Sequence, residues 1–220
     1  VEPPDEGPLY PLEFIPLAEE SGQIGAIGEW ILREACRGLI LLKHQHPIQP
    51  PLTMSINISA KQFSQPDMAD RVAAITKDTG VDPRCLVLEI TESMIMEDVE
   101  SAVETMNELR DMGINIHIDD FGTGYSSLSY LDRFPVNALK IDRSFINKLE
   151  ADGRNGEVIL SIVSLANSLN FEVIAEGVER EDQLNNIKDL HCQYGQGYLF
   201  ARPMEAAELE AWMKAEKVLA

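Results

Sequence analysis

From Met54 onward the sequence alternates short β-type runs with amphipathic helical stretches, and this alternation limits the possible folds more than any other feature. The runs start near Met54, Cys85, Ile114, Asn137, Phe171 and Tyr194. Between and after them, Glu97 to Met112 stops at Gly113, Asn155 to Leu169 stops at Asn170, and Met204 to Val218 reads as a final helix. Strand and helix in steady succession imply an α/β fold with a parallel sheet, either open and doubly wound or closed into a barrel. Upstream, a proline-rich opening (Pro3, Pro4, Pro8, Pro11) gives way to a helical pattern at Phe14, Ile15 and Ala18, and a longer helix is expected from Gly25 to Lys43. His44 and His46 fall just before Pro47 and read as a solvated turn without an acidic partner rather than as metal ligands.

Parity within the strands separates the two sheet types. In Ser55-Ile56-Asn57-Ile58-Ser59 the isoleucines share one face and the polar residues the other; Val87 to Thr91 sets Glu89 and Thr91 apart in the same way. Asn115, His117 and Asp119 share a face, as do Lys140 and Asp142. A strand covered by helices on both sides should be apolar nearly throughout, whereas a barrel strand keeps its apolar face on the helices and turns polar groups inward. The expected fold is therefore a TIM-type (β/α)8 barrel. Six strands are visible where such a barrel needs about eight, so the first strands are expected to precede Val1, with residues 1–220 forming one N-terminally shortened domain.

The polar residues gather toward the C-terminal ends of their strands, the end at which barrel active sites are built. Asn57, Glu89, Asp119, Asp120, Lys140, Asp142 and Glu176 form this converging set. Carboxylates and an amide oxygen are hard donors suited to magnesium, manganese or calcium, and no cysteine pair competes for a softer metal. On strict alternation Asp119 points into the barrel and Asp120 away from it or over the rim. A sharp turn, which Gly122 and Gly124 allow, is then needed for the pair to serve two metals. The competing reading is that Asp119 and Asp120 only cap a following helix from Ser126 to Leu131. Lys140 needs a carboxylate or phosphate partner if buried, and His117, one layer deeper, is expected to be a hydrogen-bonded core residue rather than a ligand.

With 37 acidic and 18 basic side chains the formal charge is −19. Such a surface repels nucleic acid and anionic membrane, both of which need positive patches, so an anionic substrate would require bound cations. Cys36, Cys85 and Cys192 suggest no disulfide framework, and a cytoplasmic protein without membrane contact is expected.

Five stretches in order resemble the EAL domain family: Leu88 to Ser93, Asp119 to Leu128 (DDFGTGYSSL), Leu139 to Phe145 (LKIDRSF), Ala175 to Glu179 (AEGVE) and Gln196 to Phe200 (QGYLF). The resemblance runs from Pro11 to Pro203 and implies a bacterial signalling phosphodiesterase that hydrolyses cyclic di-GMP to linear pGpG on a modified (β/α)8 barrel. It implies that Asn57, Glu89 and Asp119 bind one metal while Asp119 and Asp120 serve a second, the ions being magnesium or manganese. Lys140 and Glu176 would orient or deprotonate the attacking water, with Glu179 and Gln196 in support. Asp142 and Arg143 would contact substrate. Glu92 would anchor the loop from Gly122 to Ser127, which also carries dimer contacts, so a homodimer with a sensor or cyclase domain upstream is expected. The Glu-Ala-Leu tripeptide itself and a phosphate-binding arginine are expected before Val1, and the chain without them is expected to be poorly active. The alternatives are a receptor that binds cyclic di-GMP without hydrolysing it and an acidic interaction module. Receptors of this family usually lose Glu89, the aspartate pair or the loop, all intact here, and an interaction module explains none of the strand-end carboxylates.

Overall fold

The computed structural model describes residues 10–47, 51–123, 128–149 and 153–215. Two helices, Pro11–Glu20 and Ile24–Gln45, lead into six strands: β1 (Met54–Asn57), β2 (Leu86–Thr91), β3 (Asn115–Phe121), β4 (Ala138–Ile141), β5 (Glu172–Glu176) and β6 (Tyr194–Gln196). All pair in parallel and in chain order, so each strand lies beside its sequence neighbours. Parallel neighbours need crossovers, and helices such as Met68–Thr79, Val99–Asp111, Gly153–Ser168 and Glu181–Asp189 supply them. The result is the curved half of a barrel, with its helices on one side of the sheet. The proline-rich residues 1–9 and the loop residues 124–127 lie outside the described residues.

Local chemistry accounts for the element ends. Helix Met68–Thr79 stops at Gly80, whose φ of 74° suits a residue without a Cβ. Asp98 accepts a hydrogen bond from the Ser101 N–H to start helix Val99–Asp111, and Asp142 does the same with Ser144 for helix Arg143–Asn147. The helix-facing side of the sheet is apolar: Leu88, Ile90, Ile116, Ile118, Leu139, Ile141, Val173 and Ala175 are all buried in one continuous core. That is the face assigned by parity.

The expectation for the two histidines is corrected. The second helix continues through His44 to Gln45, and His46 at its end is buried at 8% exposure, its Nε2 lying 3.5 Å from Glu210 Oε1. Glu210 belongs to the last helix, Ala206–Ala215, far away in the chain. Only the return of that helix to the second one creates the contact, which no local pattern around Pro47 could reveal.

Candidate active site

The open ends of β2 to β5 bring their polar residues to one place. Glu89 ends one layer below Thr91 on β2, Asp119 pairs in register with Thr91, and Asn57 pairs with Glu89 from β1. At the centre is Lys140 of β4, only 2% exposed. Its Nζ lies 2.6 Å from Glu89 Oε2, 2.7 Å from Glu176 Oε1 and 3.2 Å from Asp119 Oδ2, so three strands each give it a carboxylate. Burial opposes the ammonium charge, but Glu89 and Glu176 outweigh that effect and hold the Lys140 pKa above the ordinary lysine value.

Alternation alone would send Asp120 to the core side with Ile116 and Ile118. A β-bulge prevents this. Between Ile118 and Phe121, β3 advances by one more residue than β4, whose partners there are Leu139 and Ile141. The extra residue returns Phe121 to the core at 3% exposure, and Asp120 takes up the strain with a φ of 52°. Asp tolerates this left-handed conformation better than most residues. The turn therefore starts two residues before Gly122, itself at φ 93°, and Gly124 lies outside the described residues. The Asp120 N–H donates to Asp119 Oδ1 at 2.9 Å, and the Thr123 hydroxyl donates to the Asp120 carbonyl at 2.8 Å. Asp120 does not turn away from the site: Asp119, Asp120 and Glu176 each present an oxygen within 4.8 Å of the others.

Counting Glu89, four carboxylates face one ammonium, which leaves three negative charges uncompensated. Burial raises the Asp120 pKa, helped by the neighbouring Asp119 and Asp142; burial also raises Glu176 despite its contact with Lys140. Both shifts come first from burial, with the neighbouring carboxylates adding to it. Oxygen donors in this arrangement fit a hard divalent cation, which would supply positive charge.

The other expected site residues surround this group. Glu92, buried at 6%, accepts the Gly122 N–H at 3.4 Å and so ties the first residue after the bulge to the end of β2. Asp142 is committed to capping Ser144, and Arg143 is exposed beside it. Gly177, at φ 69°, lets β5 pass Arg143, whose Cβ would stand 2.5 Å from any Cβ added there. Gln196 pairs in register with Glu176, and its carbonyl accepts the Val178 N–H at 3.0 Å. Glu179 is exposed and is not among the residues in contact with Lys140. His117 stands below Asp119 with its Nδ1 buried and without a hydrogen-bond partner, so the expected hydrogen-bonded core residue is corrected. Burial, reinforced by the charge of Lys140, lowers its pKa to about 4 and keeps the ring neutral.

Residues 1–203 match the family model described as the EAL domain. The chain belongs to the EAL domain family. Over 211 residues this EAL domain is 43% identical to the bifunctional diguanylate cyclase/cyclic di-GMP phosphodiesterase MucR of Pseudomonas aeruginosa, covering 96% of the chain and 30% of that protein. It is 40% identical over 215 residues to the cyclic di-GMP phosphodiesterase NbdA of the same organism, covering 96% of the chain and 27% of NbdA. The chain thus spans less than a third of the length of these curated relatives. Among solved structures, the MucR phosphodiesterase in complex with c-di-GMP superimposes with a TM-score of 0.89 at 42% identity, covering 94% of this chain and 83% of that one. The EAL domain of Mycobacterium smegmatis DcpA gives 0.80 at 33% identity, covering 87% and 86%. The parallel half-barrel of this EAL domain agrees with the fold expected from strand parity.

One positioning residue escaped the sequence reading. Gln183, fully buried, accepts the N–H groups of Glu179 at 2.8 Å and Arg180 at 3.0 Å and donates to Asn147 Oδ1 at 3.2 Å. It fastens the loop after β5 of this EAL domain to the helix after β4. Its signal was a glutamine three residues after a helix-starting Arg180.

Proposed function

We propose that this EAL domain, to which residues 1–220 belong as part of one phosphodiesterase domain, hydrolyses cyclic di-GMP to linear pGpG in bacterial second-messenger signalling. The observation that carries the reading is the Lys140 ammonium held within 3.2 Å of carboxylates from β2, β3 and β5, beside an aspartate pair offset by a bulge. The cyclic di-GMP phosphodiesterases MucR and NbdA, at 43% and 40% identity, support the same chemistry.

In this mechanism Asp119 and Asp120, with Glu176 beside them, would hold a magnesium or manganese ion, and Asn57 and Glu89 would join Asp119 at a second. The ions, when bound, supply the positive charge that a dianionic substrate requires next to an acidic site. Lys140 engages Glu176 Oε1 at 2.7 Å, and the Glu176 carboxylate would orient the attacking water and accept its proton. Lys140 fixes the angle of that carboxylate and offers charge to the phosphoryl group as the bond to one ribose 3′ oxygen breaks. Glu92 holds the aspartate turn still, Gln196 and Glu179 border the water path, and Asp142 and Arg143 border the substrate. Action on a soluble second messenger fits a cytoplasmic location, and the oxygen sensor protein DosP of Escherichia coli and the bifunctional MucR support a sensor or cyclase domain in the same polypeptide; a homodimer completes the reading.

The test follows cyclic di-GMP and pGpG by chromatography with magnesium or manganese, using Asp119→Asn as the control. Turnover that the substitution abolishes is the expected result. Binding without turnover would replace the enzyme with a receptor.

A further inference from the structure

The short helix Arg143–Asn147 lies between the two loops that carry the aspartate pair and Glu176. Ile146, fully buried, fixes it in the core. On one side Phe145 packs against Gly122, where an added Cβ would stand 3.0 Å from the ring, so the turn after Asp119 and Asp120 rests on this helix. On the other side Gly177, next to Glu176, passes Arg143 too closely to carry a side chain. The last residue of the helix, Asn147, accepts a hydrogen bond from Gln183 Nε2 at 3.2 Å.

Gln183 has no exposure, and its other end serves the loop after β5: Oε1 accepts the Glu179 N–H at 2.8 Å and the Arg180 N–H at 3.0 Å. One residue earlier, Val178 donates to the Gln196 carbonyl at 3.0 Å. The backbone of Glu179 is therefore held on both flanks, although its side chain is exposed. A buried amide is costly unless its polar atoms are paired, and an apolar residue of similar volume would fill the same space at lower cost. Hydrogen bonds fix distance and direction, which apolar contact does not. An amide paired at both ends, one on each loop system, thus sets the separation of the two.

We propose that Gln183 and Asn147 are a positioning pair for the reaction: they hold Glu179 in register with the carboxylates around Lys140 by tying its loop to the helix on which the aspartate turn rests. This role rests on the function given above and adds what places its supporting glutamate. Neither residue belongs to the carboxylate group itself, so both act through Glu179.

The experiment measures kcat and KM of the full chain with magnesium on cyclic di-GMP, in the parent and in a Glu179→Gln background. Gln183→Met keeps the volume and removes both ends of the bridge; it is expected to lower kcat roughly 10- to 100-fold, the scale of a misplacement of up to an ångström, with KM unchanged. Gln183→Glu retains the acceptor for both N–H groups and can accept from a rotated Asn147 amide, so it should recover most of the turnover. Asn147→Ala, which cuts only the tie to the helix, should give a smaller loss in the same sense. In the Glu179→Gln background either substitution should cost less than about twofold further, because the group being positioned is already gone. Circular dichroism at the assay temperature gives the folded fraction by which each kcat is corrected, and if Gln183→Met does not fold, the Asn147→Ala cycle decides alone. Equal losses in both backgrounds show a structural role only and overturn the pair, as does full turnover in Asn147→Ala or in Glu179→Gln. A parent without turnover overturns the enzymatic function and the pair together.

Discussion

Lys140 of β4 and Glu89 of β2 meet at 2.6 Å across the intervening β3 on the polar face of the sheet, with exposures of only 2% and 5%. A pair this buried is retained because each charge makes the other tolerable, and removing one leaves the other without compensation. Here the ammonium also contacts Asp119 and Glu176, so its loss affects more than one carboxylate.

Lys140→Met is therefore expected to destabilise the metal-free chain by about 3–5 kcal/mol, the usual consequence of breaking a buried ion pair. Urea denaturation checks this. Added magnesium should restore part of the loss, because a cation that binds only the folded site stabilises it, while hydrolysis remains absent. An unchanged urea midpoint would show that the four carboxylates do not depend on the lysine.

The acid side of the pH profile follows from Glu176 and Asp120, both raised by burial above the ordinary carboxylate range. A raised carboxyl binds more protons folded than unfolded. In metal-free protein these two groups thus lower stability as pH rises from about 4, the ordinary carboxylate value, through their folded values. Both must ionise to hold a cation, so magnesium affinity and turnover should fall on acidification before an exposed carboxylate would protonate. Lys140 acts at the other end: its contribution is complete below about pH 10.4 and is lost as pH rises through its higher folded value. Magnesium titrations across the acid range check the first part, and alkaline urea melts the second.

Asp120→Gly separates the backbone role of this residue from its carboxylate. Relief of the left-handed conformation and the added chain entropy of glycine oppose each other, so stability should change by less than about 1 kcal/mol. Magnesium affinity should fall by more than the roughly 10- to 100-fold that loss of a supporting group costs a metal site. Thermal melting and calorimetry measure the two effects. A large loss of stability with affinity intact would reverse the assignment.

Glu92→Ala removes the acceptor of the Gly122 N–H. The aspartate turn is expected to loosen, with faster amide exchange at Gly122 and a turnover loss of roughly 100-fold, the scale of an ångström-sized misplacement. Glu92→Gln keeps an oxygen acceptor and should recover most of both. Equal damage from the two substitutions would point to the charge of Glu92 rather than its hydrogen bond.

The strand pattern and most of the site residues were legible because both rest on short-range rules. Alternation with period two assigns Glu89, Asp119 and Lys140 to one face, whatever the rest of the chain does. At Asp120 alternation alone left the side chain pointing away or over the rim, and a turn was needed to bring it to the site. A bulge is a property of two strands together: β4 sets the register against which β3 has one residue too many. Gln183 and His46 escaped for a related reason, since their partners come from segments distant in sequence or from backbone groups left over at a loop.

The sequence by itself determined the succession of parallel strands, the side of the sheet that is apolar, and an excess of acid gathered at the strand ends, because side-chain periodicity and composition are local quantities. Only the tertiary structure decided that one lysine stands among three of those carboxylates and that both aspartates reach the same site as Glu176. Those facts depend on how far each strand is slid against its neighbour. A shift of one residue would turn the whole set to the other face.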